Sequence, residues 1–296
     1  MAGIFGFFDF TKPGKGVDPD EPQKRAPARC VTLFWRNLWR FVVLNMQYFV
    51  CLLPVLVAFH LMFDEFVGYS LMIEDSPLPT SPLNLIFFYS LQVFQWPPWL
   101  IVSIVALSLA VQGPLTCGLT YCLRNAVREE HYWRSDFWAR AKSNLKQGLA
   151  IGVIDVLVFV MGFYNMSLFF SSFAELDGFT QAITVLSLIT FPIYLAMRTT
   201  IYTQAVTFEL TVPQILRNSF ILALAGLPRH LLNGIICGAI LILTLLVNGY
   251  LELLLLPFVS LVLIGYISMF ISWPLVDKFL IKPAEDTESL TAGDES

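Results

Sequence analysis

Long apolar stretches separated by shorter polar ones dominate the chain. Each of six stretches runs for roughly 20 residues with almost no charged side chain, the length that a helix needs to cross a hydrocarbon core of about 30 Å. Because a spanning helix satisfies its own backbone hydrogen bonds, the pattern predicts an all-α, polytopic membrane helix bundle. The six predicted spans are 41–63, 99–122, 149–170, 180–206, 231–249 and 253–276.

A seventh apolar stretch, 83–96, is too short to cross a membrane as a helix. It lies between two proline-rich turns, DSPLPTSP and WPPW. A further span at this position would make the total odd. We therefore expect an interfacial or re-entrant segment on the outer side.

Composition agrees with this class of protein. Hydrophobic residues make up 56% of the chain and charged residues only 14%. Soluble domains carry about 25% charged residues, so the composition excludes an ordinary soluble domain. Membrane lipids are the expected surroundings, and nothing indicates nucleic-acid binding. The five cysteines lie in the N-terminal region or within predicted spans, which predicts no external disulfide framework.

The distribution of cations predicts an orientation. All 18 Lys and Arg residues lie before span one, between spans two and three, in or between spans four and five, or after span six. The alternate loops, 64–98, 171–179 and 250–252, contain none. By the positive-inside rule both termini are cytoplasmic. The predicted organisation is a cytosolic segment with a basic pre-membrane helix (1–40), a six-span membrane domain (41–280) and a disordered acidic cytosolic tail (281–296).

Two stretches on the predicted cytosolic side repeat apolar residues at helical spacing. In the first, Ser135 is a candidate N-cap, and Asp136 suits the positive end of the helix dipole. In the second, Thr211 is the candidate cap, and Gly226 with Pro228 ends the helix. We predict two amphipathic helices lying along the inner leaflet. Their apolar faces are Phe137, Trp138, Ala141, Leu145 and Leu149 in the first, and Ile215, Leu216, Phe220, Ala223 and Leu224 in the second.

Cations and a tryptophan cluster between the end of span two and the start of span three. Arg124 and Arg128 are one helical turn apart, a spacing suited to a lipid phosphate or an acidic protein surface. Two uses stay open for the cluster: folding against lipid headgroups, or docking a cytosolic or membrane partner. The candidate docking or headgroup face consists of Arg124, Arg128, Trp138, Arg140, Lys142 and Lys146.

Polar residues inside the predicted spans are the candidate intramembrane site. Asp155 is the only acid well inside a span, and Arg198 lies within the next one. Charges in a membrane are costly and pairing lowers that cost, so we predict an ion pair that serves either helix packing or an ion or substrate path. Gln112 lies beside Gly113 and Pro114, a candidate helix break. Its amide either bonds a neighbouring helix or lines a cavity.

Small residues recur at the start of two spans. Gly148 and Gly152 open span three, and Gly234 and Gly238 open span five. Small residues four apart let two helix backbones approach closely, so both pairs predict helix packing. With the short helix before each pair, the chain reads as two units of the same orientation. An internal duplication is one explanation of this arrangement, and the slight residue identity between the halves leaves it open.

Catalytic motifs are missing from the sequence. It contains no GxSxG, no HExxH and no Walker loop. His131 lies near Glu129, Glu130 and Asp136, but their spacing does not place ligands on one face of a helix. We therefore predict no enzymatic activity, no metal site and no cofactor.

Three segments carry a resemblance to a known family. They are GIFGFFDFTKPGKGVDPDEPQKR, GPLTCGLTYCLRNAVREEHYWRSDFWARAKSNLKQ and ALAGLPRHLL. Up to about residue 232 the chain resembles the YesL-like family of bacterial membrane proteins, whose members are often encoded near carbohydrate ABC-transporter components. The resemblance implies a bacterial plasma-membrane protein that is accessory to carbohydrate uptake, with ABC-transporter subunits as partners. It implies no defined biochemical activity.

Two other functions remain open from the residues. A small transporter or channel would use Gln112, Asp155 and Arg198. A lipid-binding or envelope-stress protein would use the cationic cytosolic face instead.

Overall fold

A computed structural model describes residues 25–70, 98–246 and 255–283, and these ranges are helical almost throughout, with no strand among them. A short 3₁₀ turn at Phe173–Glu175 joins the fourth and fifth helices, and π-helical turns at Leu256–Ser260 and Asp277–Ile281 flank the last one. The helices are α1 (Ala26–Ser70), α2 (Pro98–Val127), α3 (Arg134–Ser143), α4 (Leu145–Ser172), α5 (Gly178–Thr207), α6 (Val212–Ala225), α7 (Leu227–Leu246) and α8 (Leu261–Val276).

Four helical segments within these ranges are long and apolar enough to cross a membrane, which indicates a membrane protein. They correspond to the third to sixth predicted spans. Every described residue of the six predicted spans is helical, whereas the predicted 83–96 segment lies outside the described residues. The four segments are Leu145–Phe170, Gly178–Thr207, Leu227–Thr244 and Leu256–Ile281.

α1 is one continuous helix of 45 residues. At about 1.5 Å per residue it is about 67 Å long, roughly twice the thickness of a hydrocarbon core. The predicted pre-membrane helix and the first predicted span are therefore parts of the same continuous helix. A large part of α1 must extend beyond any membrane that it crosses.

α2 is the central element of the packing. On one side it contributes Leu119, Cys122 and Leu123 to a core shared with α1 and α8, in which Phe41 and Tyr266 are also buried. On the other side, Cys117 packs in a second core with residues of α4, α5 and α6. The second core contains Cys117, Ile151, Tyr194, Ile201, Tyr202, Ala205 and Ile215. Because both cores contain residues of α2, this helix connects the helices that form one core with those that form the other.

α2 passes through Pro114 without a break, which corrects the helix break predicted at Gln112, Gly113 and Pro114. Proline lacks an N–H, so the carbonyl four residues earlier, that of Ala110, loses its helical donor. This carbonyl faces α4, where a Cβ at Gly152 would collide with the Ala110 oxygen.

The first predicted glycine pair does allow close helix packing. A Cβ at Gly148 would lie 2.7 Å from the Cα of Pro114, and one at Gly113 would collide with the Gly148 carbonyl oxygen. For the second pair, a Cβ at Gly234 or Gly238 would meet nothing within 4 Å among the described residues, so its packing role stays a prediction.

The short helix α3 differs in detail from its prediction. It begins at Arg134 with Trp133 as N-cap, not Ser135, and the Asp136 carboxylate accepts the Trp133 N–H at 2.8 Å. Its buried residues are Phe137 and Ala141. A Cβ at Gly118 of α2 would collide with the Phe137 backbone, so the apolar side of α3 packs closely against α2. That side therefore faces protein, not lipid as predicted.

The second short helix, α6, begins and ends where the sequence predicts. Thr211 is its N-cap, and the Gln214 side chain accepts the Thr211 N–H at 2.9 Å. Gly226 is its C-cap. The buried side differs from the predicted apolar face because Phe220 and Leu224 are about half exposed. The buried residues are Ile215, Ser219, Leu222 and Ala223.

Candidate functional site

A buried carboxylate on α4 accepts hydrogen bonds from three donors on α5. Asp155 Oδ1 accepts the Tyr194 hydroxyl at 2.6 Å. Asp155 Oδ2 accepts the Tyr202 hydroxyl at 2.6 Å and Arg198 Nε at 3.1 Å. The three donors are four residues apart, so they lie on one face of α5. We call Asp155, Tyr194, Arg198 and Tyr202 the α4–α5 cluster.

The charges of the α4–α5 cluster compensate each other. Asp155 is buried and the Arg198 side chain is 32% exposed. The guanidinium also lies over two aromatic rings, 5.1 Å from the centroid of Tyr202 and 5.7 Å from that of Phe159. Such contacts lower the cost of holding a cation in apolar surroundings. The Asp155–Arg198 contact is the one that the sequence predicted.

Sequence reasoning did not find the two tyrosines. Their signal was available, since Tyr194 and Tyr202 flank the only cation of span four at one helical turn on each side. A buried Tyr hydroxyl needs a partner, and a carboxylate on the facing helix supplies one. The predicted pair is therefore part of a four-residue network.

Polar contacts also join α1 to α2. Gln112 Nε2 donates to the Cys51 carbonyl at 2.6 Å. The hydroxyls of Tyr48 and Thr116 share a hydrogen bond of 2.9 Å. Gln112 thus makes the interhelical hydrogen bond that was one of its two predicted uses, while its Oε1 atom is buried and has no partner among the described residues.

Asn45 of α1 supports the irregular start of the last helix. Its Nδ2 atom donates to the Leu256 carbonyl at 2.8 Å, and its Oδ1 atom accepts the Val262 N–H at 2.7 Å. A π-helical turn displaces backbone groups from the regular α-helical pairing, and a buried group left unpaired is costly. The Asn45 amide therefore pairs with the first residue of the turn and with a residue that follows it.

Arg124 is not part of an exposed face, which corrects its predicted role. It is only 8% exposed, and its Nη1 atom donates at 3.0 Å to both the Val206 carbonyl and the Thr207 hydroxyl. Its other nitrogens donate to Asn125 Oδ1. Val206 lies at the C-terminus of α5, where a cation complements the helix dipole. Arg124 therefore ties α2 to the end of α5.

Two further cations of the predicted face have internal contacts. Arg128 pairs with Glu130 at 2.8 Å and lies 5.3 Å from the Trp273 ring centroid. Arg140 lies 4.4 Å from the Tyr121 ring centroid. The remaining members of the face all point outward, and they belong to α3 and the first turn of α4. These outward residues are Trp138, Lys142 and Lys146.

Glu129 ends α2 in an unusual conformation. Its φ is 63°, the left-handed region that favours glycine. The Glu129 N–H bonds the Ala126 carbonyl and the Glu130 N–H bonds the Asn125 carbonyl, the pattern of a Schellman motif. A non-glycine residue here indicates that its side chain has a use.

That use is an ion-pair cluster with α1. The Glu129 carboxylate accepts Arg36 at 2.8 Å and Arg29 at 3.2 Å. The hydrogen bond from Arg36, together with the positive charges of both arginines, lowers the pKa of Glu129 below its ordinary value. Sequence reasoning placed Glu129 only in a rejected metal site, because the arginines that hold it are remote in the chain.

No group of three His, Cys, Asp or Glu side chains that could hold a metal ion occurs among residues 25–70, 98–246 and 255–283. The site and the fold together define a helical membrane protein with buried polar clusters. Comparison of the chain with family models, with curated proteins and with solved structures gives no match.

Proposed function

We propose that this chain is a six-span bacterial plasma-membrane protein with cytoplasmic termini, and that it acts as a non-enzymatic accessory to carbohydrate uptake through an ABC-type sugar transporter. Six spans are favoured because the first two predicted spans lie within the long helices α1 and α2. The orientation is supported by the absence of Lys and Arg from the alternate loops 64–98, 171–179 and 250–252. The carbohydrate role follows from the resemblance to the YesL-like family.

The accessory role is supported by the packing of α3, which has one side buried against the protein and another side exposed. Phe137 and Ala141 fix one side of the helix to the protein. Trp138, 42% exposed, and Lys142 face outward from the other side, and Lys146 follows at the start of α4. Exposed tryptophan is enriched at protein interfaces, and basic residues near a membrane attract anionic lipid headgroups. Because the inner contacts already hold α3, its outer face is free to bind a partner.

Photocrosslinking in native membranes tests this role. A photoreactive residue at Trp138 or Lys142, read by mass spectrometry, should recover one transporter subunit. The matched control is Val160 of α4, which is exposed on a predicted span and should crosslink lipid. Recovery of the same proteins from Val160 as from Trp138, or of lipid alone from Trp138, would contradict the proposal.

A small transporter or channel is the second candidate, and it has a specific observation in its favour. Gln112 Oε1 is a buried acceptor without a partner among the described residues, and Arg198 is partly exposed inside a predicted span. Flux of sugar or protons into liposomes that contain the purified chain, lost in Gln112→Leu, would favour this function. Absence of flux in liposomes that contain the wild-type chain would contradict the transporter or channel function.

A further inference from the structure

A depression of about 330 Å³ lies between α1 and the turn that follows α2. It is separate from both the α4–α5 cluster and the outer face of α3. Its walls come from one side of α1 and from the Schellman turn at the end of α2. The lining residues are Arg36, Asn37, Arg40, Ala126, Glu129, Glu130 and His131.

Cations outnumber carboxylates in and around this depression. Glu129 is shared by Arg29 and Arg36, and Glu130 is paired with Arg128. Arg40 has no carboxylate partner among the described residues. Four arginines therefore surround two glutamates, and the excess positive charge belongs to the wall formed by α1.

Arg40 is also held in position. Its guanidinium lies 5.7 Å from the centroid of the Tyr132 ring, and Tyr132 is buried. A planar guanidinium that rests on an aromatic ring keeps its N–H edge available for an oxyanion. Arg36 lies one turn earlier on α1, and only one of its nitrogens donates a hydrogen bond to Glu129 Oε2. Two guanidinium groups thus line the same wall one helical turn apart.

The exposed residues of α1 at this level indicate the surroundings of the depression. Trp35 and Trp39 directly precede Arg36 and Arg40, and they are 66% and 77% exposed. Tryptophan is enriched at the interface between membrane and water, where its ring lies at headgroup level. Basic depressions at the cytoplasmic ends of membrane helices suit anionic headgroups.

We propose that this depression binds the phosphate of an anionic membrane lipid, with Arg40 and Arg36 as its principal ligands. The phosphate oxygens accept N–H donors from both guanidinium groups, and the lipid chains extend along α1 past Trp39. The inference goes beyond the accessory role and rests on the proposed orientation only for the choice of leaflet. A soluble phosphate ion offers the same chemistry, and the tryptophans favour the lipid.

Lipid retention in nanodiscs tests the site. The full-length chain is reconstituted in phosphatidylcholine that contains phosphatidylglycerol, and the lipid retained after purification is measured by mass spectrometry. Arg40→Gln should lower the retained phosphatidylglycerol about tenfold, the loss expected when one charge-assisted hydrogen-bonded pair is removed. Arg40→Lys keeps the charge but not the planar edge and should give an intermediate value. Arg217→Gln removes an exposed cation from α6, outside the depression, and should change nothing.

The other outcomes each overturn the proposal. Equal losses from Arg40→Gln and Arg217→Gln would reduce the effect to net charge. No enrichment of phosphatidylglycerol over phosphatidylcholine in the wild type would remove the lipid. Binding of inorganic phosphate to the wild type in pure phosphatidylcholine, lost in Arg40→Gln and without lipid enrichment, would assign the site to a soluble anion. Arg40→Lys, which retains the cation, guards against a general failure to fold.

Discussion

Removing the carboxylate of Asp155 should be among the most damaging single changes to this fold. Asp155 accepts three hydrogen bonds, from Tyr194, Arg198 and Tyr202, and is itself buried. Asp155→Ala leaves the Arg198 cation without its counter-charge inside an apolar helix bundle. Loss of one partner of a buried ion pair costs about 3–5 kcal/mol of unfolding free energy. We expect a loss of this order.

Arg198→Ala should cost a similar amount because it leaves the Asp155 carboxylate uncompensated. The double variant removes both charges, so its loss should be smaller than the sum of the two single losses. A coupling energy of about 2 kcal/mol or more is expected for two charges in contact in one network. Tyr194→Phe and Tyr202→Phe should each cost about 1.5–3 kcal/mol, as hydrogen bonds to a charged acceptor do.

The assay is reversible unfolding by sodium dodecyl sulfate in mixed micelles, followed by circular dichroism. Tyr164→Phe is the matched control, since this tyrosine also lies on α4 and is 63% exposed. It should leave the unfolding free energy unchanged. Additive losses in the double variant, or a Tyr164→Phe loss equal to that of Tyr194→Phe, would refute the assignment of the α4–α5 cluster as one stabilising network.

Three further predictions follow from the structure. Gly152→Ala should cost about 1–3 kcal/mol of unfolding free energy, because its Cβ meets the Ala110 carbonyl. Gly234→Ala is the control and should cost nothing, because its Cβ meets no described atom within 4 Å. Asn45→Leu leaves the Leu256 carbonyl and the Val262 N–H without this partner, at about 1–3 kcal/mol each. It should speed hydrogen exchange at the Val262 amide. The folded-state pKa of Glu129 is lowered, so its contribution to stability is present above its ordinary pKa of 4.5 and is lost as the pH falls below that value. Thermal unfolding against pH should show this acid-side loss in the wild type and not in Glu129→Gln.

The helical segments were predictable because their signal is local. An apolar stretch of membrane length specifies a helix without knowledge of its neighbours, and each described part of the predicted spans is helical. The Asp155–Arg198 contact was predictable for a related reason. Two opposite charges in consecutive antiparallel helices have few other ways to lower their cost.

The residues whose roles were not predicted correctly make contacts with remote parts of the chain. Arg124 reads as an exposed cation until the end of α5 is known to lie beside it. The two glycine pairs have the same spacing, but among the described residues only the first meets a neighbouring helix backbone. The first pair packs against Pro114 and the Ala110 carbonyl of α2. The sequence around Gly234 and Gly238 contains no local signal that distinguishes this pair from Gly148 and Gly152.

Many of the buried polar side chains compensate for an irregularity of the backbone or for another charge. Asn45 supports the π-helical turn before α8, Arg124 binds the C-terminus of α5, and Asp155 neutralises Arg198. A side chain that already fills such a role cannot be released for a ligand without a loss of stability. Among the described residues, the outer side of α3 and Arg40 are held in place by the fold and are not fully used by it. Function should be sought first at these two places.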